Sequence, residues 1–341
     1  MKKYPIYITL IAALMIVAAC AKDIASGPND GNKSYLDAWM HIYNQKNDTD
    51  IEPTGLGIYV LDSKDGDGAT VTDNGYAIVE CTTTDLDGNI SSYTSEEIAK
   101  QLGKYSETTY YGPTVWLTMD ATIPAGVQDA IVGMKVGGYK KVVVPSWLMS
   151  YATYETGKEY LNQSSDYSTT IYEFTIKDYT DSIDVWQIDS IKRYITKNYG
   201  SLETFSNDTT GFFYKQLSAP ESDEAFGSDT TIYINYVGKL LNGLVFDTNI
   251  ERVAKDNNLY SSSKTYEPVS ISWGETYSDI TMGSSSSSVI GGFAMTLWQM
   301  KAMESGIGIF YSPLGYGYSG SEPSIPPYAP LIFEIEIVAK P

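Results

Sequence analysis

Apolar residues recur at helical spacing in two places, Tyr35, Leu36, Trp39, Ile42 and Tyr43, then Ile188, Ile191, Tyr194 and Ile195. Each spacing predicts a helix with one buried face. A similar strand-like run follows each helix, Thr54-Gly-Leu-Gly-Ile-Tyr-Val-Leu in one half and Thr210-Gly-Phe-Phe-Tyr-Lys-Gln-Leu in the other. Apolar-alternating runs then flank Asp87-Gly88 and Asn242-Gly243, dipeptides that close hairpins because their residues tolerate positive φ. Gly133-Met-Lys-Val-Gly-Gly-Tyr-Lys-Lys-Val-Val-Val-Pro145 and Trp298-Gln-Met300-Lys-Ala-Met-Glu-Ser-Gly-Ile-Gly-Ile-Phe310 come at comparable offsets. The chain reads as a tandem duplication.

Within each half the strands surround one short helix, predicted from Val127 to Val132 and from Phe293 to Met300. A helix that short buries its apolar face only against a sheet, so each half is expected to be α+β, an antiparallel sheet wrapped around a helix. Alternating strands close the halves at Ile171-Tyr-Glu-Phe-Thr-Ile and Leu331-Ile-Phe-Glu-Ile-Glu-Ile-Val. The polar stretch Asp178 to Asp184 reads as a linker, and the Ser284 to Ser288 run as a flexible loop.

The N-terminus changes the picture of where the chain works. Lys2-Lys3, an apolar run from Ile6 to Val17 and the small-residue box Val17-Ala18-Ala19-Cys20 have the zones of a secretory signal. A Cys directly after that box resembles a bacterial lipobox, in which Cys20 becomes the lipidated first residue; the alternative is an ordinary signal peptide with a stray Cys. The apolar run is too short for a membrane span, which takes about 20 residues. About 320 residues remain after residue 20, room for two domains.

Composition narrows the function classes. Lys and Arg number 23 against 42 Asp and Glu, a formal charge of −19, which argues against a nucleic-acid partner. Cys81 is the one cysteine besides Cys20, so no internal disulfide is expected and stability must come from the cores. The 29 Tyr and 6 Trp supply large buried areas with a polar tip.

Four blocks of the second half carry a resemblance. Tyr236-Val-Gly-Lys-Leu-Leu-Asn-Gly-Leu-Val-Phe246-Asp247, Val289-Ile290-Gly-Gly-Phe293, Leu314-Gly-Tyr316-Gly and Ile325-Pro-Pro-Tyr-Ala-Pro-Leu-Ile-Phe333 resemble, in order and spacing, the signature of the FKBP family of peptidyl-prolyl isomerases. The resemblance implies two FKBP-like domains, each with an N-terminal helix: a degenerate one over 33–180 and one with a retained pocket over 184–341. It implies a pocket wall of Tyr236, Phe246, Val289, Ile290, Tyr316 and Phe333, with Phe293 where a Trp commonly forms the floor. Asp247 matches the pocket carboxylate, and the Ile290 N–H and Tyr316 hydroxyl match the donors that hold the peptide's carbonyls. Arg252 falls where the family's Asp-pairing Arg lies, although an insertion from Ile250 to Tyr266 weakens that alignment. Ser321 and Ile325 fall in the loop that overhangs the pocket. Met303, where a Gly is usual, and Val269, where an aromatic often lines the rim, depart from the pattern.

The first half keeps the scaffold without the pocket pattern. Cys81 falls near the Tyr position, Ser91-Ser92 replace Phe-Asp, Val127 replaces the floor aromatic, and no Ile-Pro-Pro loop follows Tyr151. No enclosed apolar site is expected there. Asp85-Leu-Asp87-Gly-Asn89-Ile90 nearly spells a calcium loop, but the sixth position needs a Gly that Ile90 does not supply, so a hairpin tip is the better reading. His41, among apolar residues of the first helical segment, is expected to be structural, and Cys81 a small buried hydrophobe. One His and one thiol beyond Cys20 assemble neither a zinc site nor a Ser-His-Asp triad; no metal and no cofactor are expected.

The chemistry that this family performs needs no covalent step. An X-Pro amide rotates over a barrier of about 18–20 kcal/mol; twisting removes its resonance and its charge separation, so a dry apolar pocket favours the twisted form. The resemblance thus implies an isomerase of proline-containing polypeptide clients; with the lipobox-like N-terminus the expectation is an exported protein held to the membrane by lipid on Cys20, with Ala21 fitting outer-membrane sorting. The competing reading is a non-enzymatic polypeptide-binding surface lipoprotein; a third is a purely structural surface lipoprotein.

Overall fold

The computed structural model describes residues 27–206 and 209–341; the expected signal segment and Cys20 lie outside them. The first half contains α1 (Asp30–Asn47), β1 (Tyr59–Lys64), β2 (Tyr76–Thr84), β3 (Ile90–Tyr93), α2 (Glu96–Gln101), β4 (Thr114–Leu117), α3 (Ala125–Ile131), β5 (Tyr139–Val144), α4 (Gly157–Leu161) and β6 (Thr170–Thr180). The second contains α5 (Ile183–Tyr199), β7 (Phe212–Gln216), β8 (Thr231–Leu240), β9 (Val245–Thr248), α6 (Glu251–Asp256), β10 (Val269–Ser272), β11 (Thr281–Met282), β12 (Ser287–Ser288), α7 (Gly291–Trp298), β13 (Ser305–Phe310) and β14 (Leu331–Val338).

The two antiparallel sheets repeat one connectivity. Strands run β1-β5-β6-β2-β3 in the first, with β4 also paired to β2, and β7-β13-β14-β8-β10 in the second, with β9 also paired to β8. Each half therefore places its first strand beside the strand that follows its short helix, and its last strand in the middle. Register carries the correspondence to single residues: Cys81 opposes Phe174 and Thr83 opposes Tyr172, as Tyr236 opposes Ile335 and Gly238 opposes Phe333.

Period-two alternation sorts the second sheet's side chains between two helices. Phe310, Leu331, Phe333, Ile335 and Ile337 share a core with Phe293 and Leu297 of α7. Their strand neighbours Ile307, Ile309, Ile332 and Phe213 pack with Ile191 and Ile195 of α5. Helix α7 has almost no polar side; its residues from Gly292 to Leu297 are buried. Gly292 is required where the helix meets the sheet, because a Cβ there would stand 2.3 Å from the Phe310 ring. In the first half Leu36 and Met40 of α1 join Val127 and Ile131 of α3 in one core.

Several expectations are corrected. The segment read as a linker is nearly all structured, β6 ending at Thr180 and α5 beginning at Ile183; its polar residues are the exposed side of a strand end and the helix start. The serine run is the tip and return strand of a hairpin, Thr281 pairing with Ser288 and Met282 with Ser287. His41 is exposed and touches Gln45 on its own helix at 3.0 Å, because the buried stripe of α1 runs through Leu36 and Met40 instead. Asp85 accepts the Asp87 and Asn89 N–H groups at 2.9 and 2.8 Å, which fixes the hairpin tip.

Candidate functional site

Strands β8, β9 and β14, the start of α7 and the loop after β13 bring all eight predicted site residues of the second half to one face of the sheet. Phe333 is the hub. Its ring centroid lies 5.1 Å from Phe293, 5.6 Å from Phe246, 6.3 Å from Tyr236 and 5.9 Å from Phe310. Phe246 meets Tyr316 edge-on at 6.4 Å, and Tyr236 meets Phe293 edge-on at 5.7 Å. Edge-to-face contact sets a ring's positive rim against its neighbour's negative face and holds the group in a defined shape. Val289 and Ile290 pack on the same core. Burial is graded: Tyr236, Phe293 and Phe333 are buried, Phe246, Val289 and Ile290 are half-buried, and Tyr316 is 40% exposed. The deep rings thus lie beneath the half-buried and exposed ones.

A glycine makes room for the rings. Gly238 lies on β8 between its partners Phe333 on β14 and Asp247 on β9. A Cβ on it would stand 2.7 Å from Phe246 and 2.8 Å from Phe333. An isolated Gly in a strand signals such a close approach, so the pattern in the sequence carried a usable hint that the family match alone did not use.

The polar side is organised around Asp247. The Tyr236 hydroxyl donates to its Oδ2 at 2.7 Å, and Lys264 Nζ donates to Oδ1 at 2.8 Å and to the Thr248 carbonyl at 3.0 Å. Lys264, from the insertion, therefore takes the pairing expected of Arg252; nothing in the sequence pattern points to it, since it lies 17 residues beyond Asp247. The pair is exposed, side chains 42% and 43% accessible, so it is worth about 0–1 kcal/mol and serves to orient the carboxylate. Asn249 adds a brace, accepting the Tyr236 N–H and donating to the Ile234 and Glu267 carbonyls.

Burial, then the Asp247 charge, pushes the Tyr236 phenol up, and the same two causes act on Tyr316. Both hydroxyls therefore keep their protons at neutral pH. Among the described residues neither the Tyr316 hydroxyl nor the Ile290 N–H makes a hydrogen bond. No His, Cys, Asp and Glu group among the described residues could hold a metal ion.

In the first half Trp116, Ile123, Pro124, Val127 and Tyr172, with Tyr328 of the second half, line a solvent-open cavity of about 410 Å³ with mixed polar and apolar walls, where the Trp116 and Tyr172 rings meet at 6.1 Å. Cys81 lies aside from this cavity, its thiol pushed up to about 12, chiefly by burial and then by Glu173.

Alkaline stability follows from these shifts. Burial is also the main cause that pushes Tyr139 and Tyr199 up to about 12 from 10.0, and Cys81 starts from 9.0. The folded chain holds these protons more tightly than the unfolded one, so their contribution is complete below the unfolded values and is lost as pH rises toward the folded ones. Urea midpoints are expected to fall between about pH 8 and about pH 11; equal midpoints would contradict the assignment.

Comparison with known proteins places this site in a family context. Residues 222–338 match the family model described as FKBP-type peptidyl-prolyl cis-trans isomerase. A curated relative from Haemophilus influenzae, "Probable FKBP-type peptidyl-prolyl cis-trans isomerase", is 30% identical over 129 residues, 38% of this chain and 42% of the relative's length. The chain thus spans less than half of that protein. Among solved structures, the three FKBP domains of wheat FKBP73 align at 16% identity over 85% of this chain and 98% of theirs, with a TM-score of 0.29. FkpA from Escherichia coli aligns at 21% identity over 46% of this chain and 62% of its own, with a TM-score of 0.31. It is in residues 222–338, which hold all eight groups of the candidate site, that this chain is similar to the FKBP-type peptidyl-prolyl cis-trans isomerases.

Proposed function

We propose that the chain is a peptidyl-prolyl cis-trans isomerase acting on X-Pro bonds of exported polypeptides through the ring pocket of its second half. The observation that carries the reading is the cup of rings around Phe333, open at Phe246 and Tyr316, with two unspent donors at its mouth. A prolyl ring seated on Phe293 and Phe333 leaves water. The Ile290 N–H and Tyr316 hydroxyl then hold carbonyls of the extended segment while the amide rotates. The planar amide is the more polar form, so removing water destabilises it relative to the twisted one. Asp247, held by Tyr236 and Lys264, fixes the wall and attacks nothing.

The unaided rotation takes tens to hundreds of seconds and limits the folding of many clients. Refolding of a model protein whose slow phase is X-Pro rotation separates this reading from a non-enzymatic polypeptide-binding module. Catalytic amounts of the full chain that speed the slow phase support the isomerase. Saturable binding with an unchanged or slower phase supports the module.

Lipidation at Cys20 would hold the protein to the outer membrane on either face. Among the described residues no helix is long and apolar enough to cross a membrane, and a diacyl anchor suffices where a single chain does not. The Cys20→Ser variant is expected to leave the membrane fraction; its retention there would contradict the anchor.

A further inference from the structure

The two halves meet at the rims of the candidate site. Between α2 and β4 the first half extends a segment, residues 103–113, toward the second. The Tyr110 N–H donates to the Pro323 carbonyl at 2.8 Å, and the Tyr110 ring packs on the core that holds the pocket rings. Its hydroxyl donates back to the Pro113 carbonyl at 3.1 Å, which fixes the ring. Three residues earlier, Glu107 accepts a hydrogen bond from Asn258 in the insertion that carries Lys264. One short segment therefore touches both borders of the proposed pocket: the loop that includes Ser321 and Ile325, and the insertion that positions Asp247.

Tyr110 is a pillar between open spaces. A cavity of about 370 Å³ and another of about 270 Å³ both reach Tyr110, Pro326 and Pro327. The overhanging loop thus has room to shift wherever this contact is lost. Around its far end Tyr328 lies 5.8 Å from Tyr76 and 5.1 Å from Tyr318, while Ile325 and Ala329 seat the loop in the core.

We infer that the segment around Tyr110 and Glu107 is a positioning element for the second half's site, with the first half setting the shape of the pocket rims and so the affinity for residues flanking the proline. The inference rests on the isomerase reading for its effect on turnover, and on geometry alone for its effect on the loop. Holding the rims in their bound arrangement lowers the ordering cost of client binding. Rotation itself depends on the rings. The brace therefore acts on KM and leaves kcat.

The test uses the full chain with Tyr110→Ala, Tyr110→Phe and Glu107→Ala, a blocked Ala-Leu-Pro-Phe tetrapeptide, and amide hydrogen exchange. In Tyr110→Ala, amides of residues 321–330 are expected to exchange about tenfold faster while those of β7 stay as in the wild type. In Glu107→Ala the faster exchange falls on residues 257–266. KM for the tetrapeptide rises by about three- to tenfold with kcat within about twofold, and Tyr110→Phe, which keeps the packed ring and loses only its hydroxyl bond to Pro113, restores most of both readouts. Glu107 is exposed enough that its removal leaves folding intact. Unchanged exchange in both alanine variants overturns the brace whether or not the wild type turns over the peptide. A wild type without turnover defeats the isomerase reading and leaves the exchange result to decide the brace.

Discussion

Phe246→Ala in the full chain is expected to lower kcat/KM for an X-Pro tetrapeptide by about 100-fold or more, to near the uncatalysed rate. Among the described residues Phe246 is the one ring that meets both Phe333 and Tyr316. Removing it opens the apolar wall to water, which solvates the planar amide and cancels the advantage of the twisted one. Burying a phenyl ring is worth about 1.5–3 kcal/mol and its edge-to-face contacts about 0.5–1.5 more, an amount that converts to the stated loss if it is felt in the transition state. The ring is half-buried, so the fold should survive, and circular dichroism checks that it does. Turnover near the wild-type level would move the working site away from Phe246, and the cavity beside Val127 in the first half would be the place to look.

Gly238→Ala is expected to damage the site from behind. The added methyl would stand closer than 3 Å to both Phe246 and Phe333, the two rings that the proposed wall turns on. Overpacking of this kind costs about 1–3 kcal/mol of stability. The displaced rings should cost about 10- to 100-fold in kcat/KM. The substitution removes no functional atom, so a loss of turnover reports on the shape of the cup. Wild-type turnover in a folded Gly238→Ala protein would show that the arrangement of the rings is not what drives rotation.

The hydrophobic pattern made much of this fold legible. Helical spacing in Tyr35 to Tyr43 and Ile188 to Ile195 located α1 and α5, and the Asp-Gly and Asn-Gly turns located the hairpins, since these are local properties of backbone and side chain. The residues proposed for the pocket, which the structure brings together around Phe333, stand out only as a set, through their order and spacing; singly, each would read as core. What the pattern could not show depends on distant parts of the chain. Lys264 reaches Asp247 across an insertion with no periodicity, and Tyr110 reaches Pro323 across more than two hundred positions. Trp116 and Tyr172 become neighbours only through the sheet. Tyr35 and Ile42 are 58% and 63% exposed, apolar side chains that helical spacing alone would have turned inward.

The serine run shows the same limit from the other side. Composition marked Ser284 to Ser288 as loop, yet its last two residues, Ser287 and Ser288, pair with Met282 and Thr281. Strand pairing is set by partners, and low-complexity composition leaves those partners unread. The polar segment before α5 misled for a related reason, because a helix start and an exposed strand end are both polar.

The central claim is that a cup of rings accelerates rotation about an X-Pro bond without covalent chemistry. Two-dimensional exchange NMR on a blocked Ala-Leu-Pro-Phe peptide, at equilibrium with catalytic amounts of the full chain, measures that rotation directly. The account predicts cis–trans exchange peaks on a time scale of seconds or less, against tens to hundreds of seconds for the free peptide, and their loss in Phe246→Ala. Line broadening from binding with no exchange peaks in the wild type would contradict it.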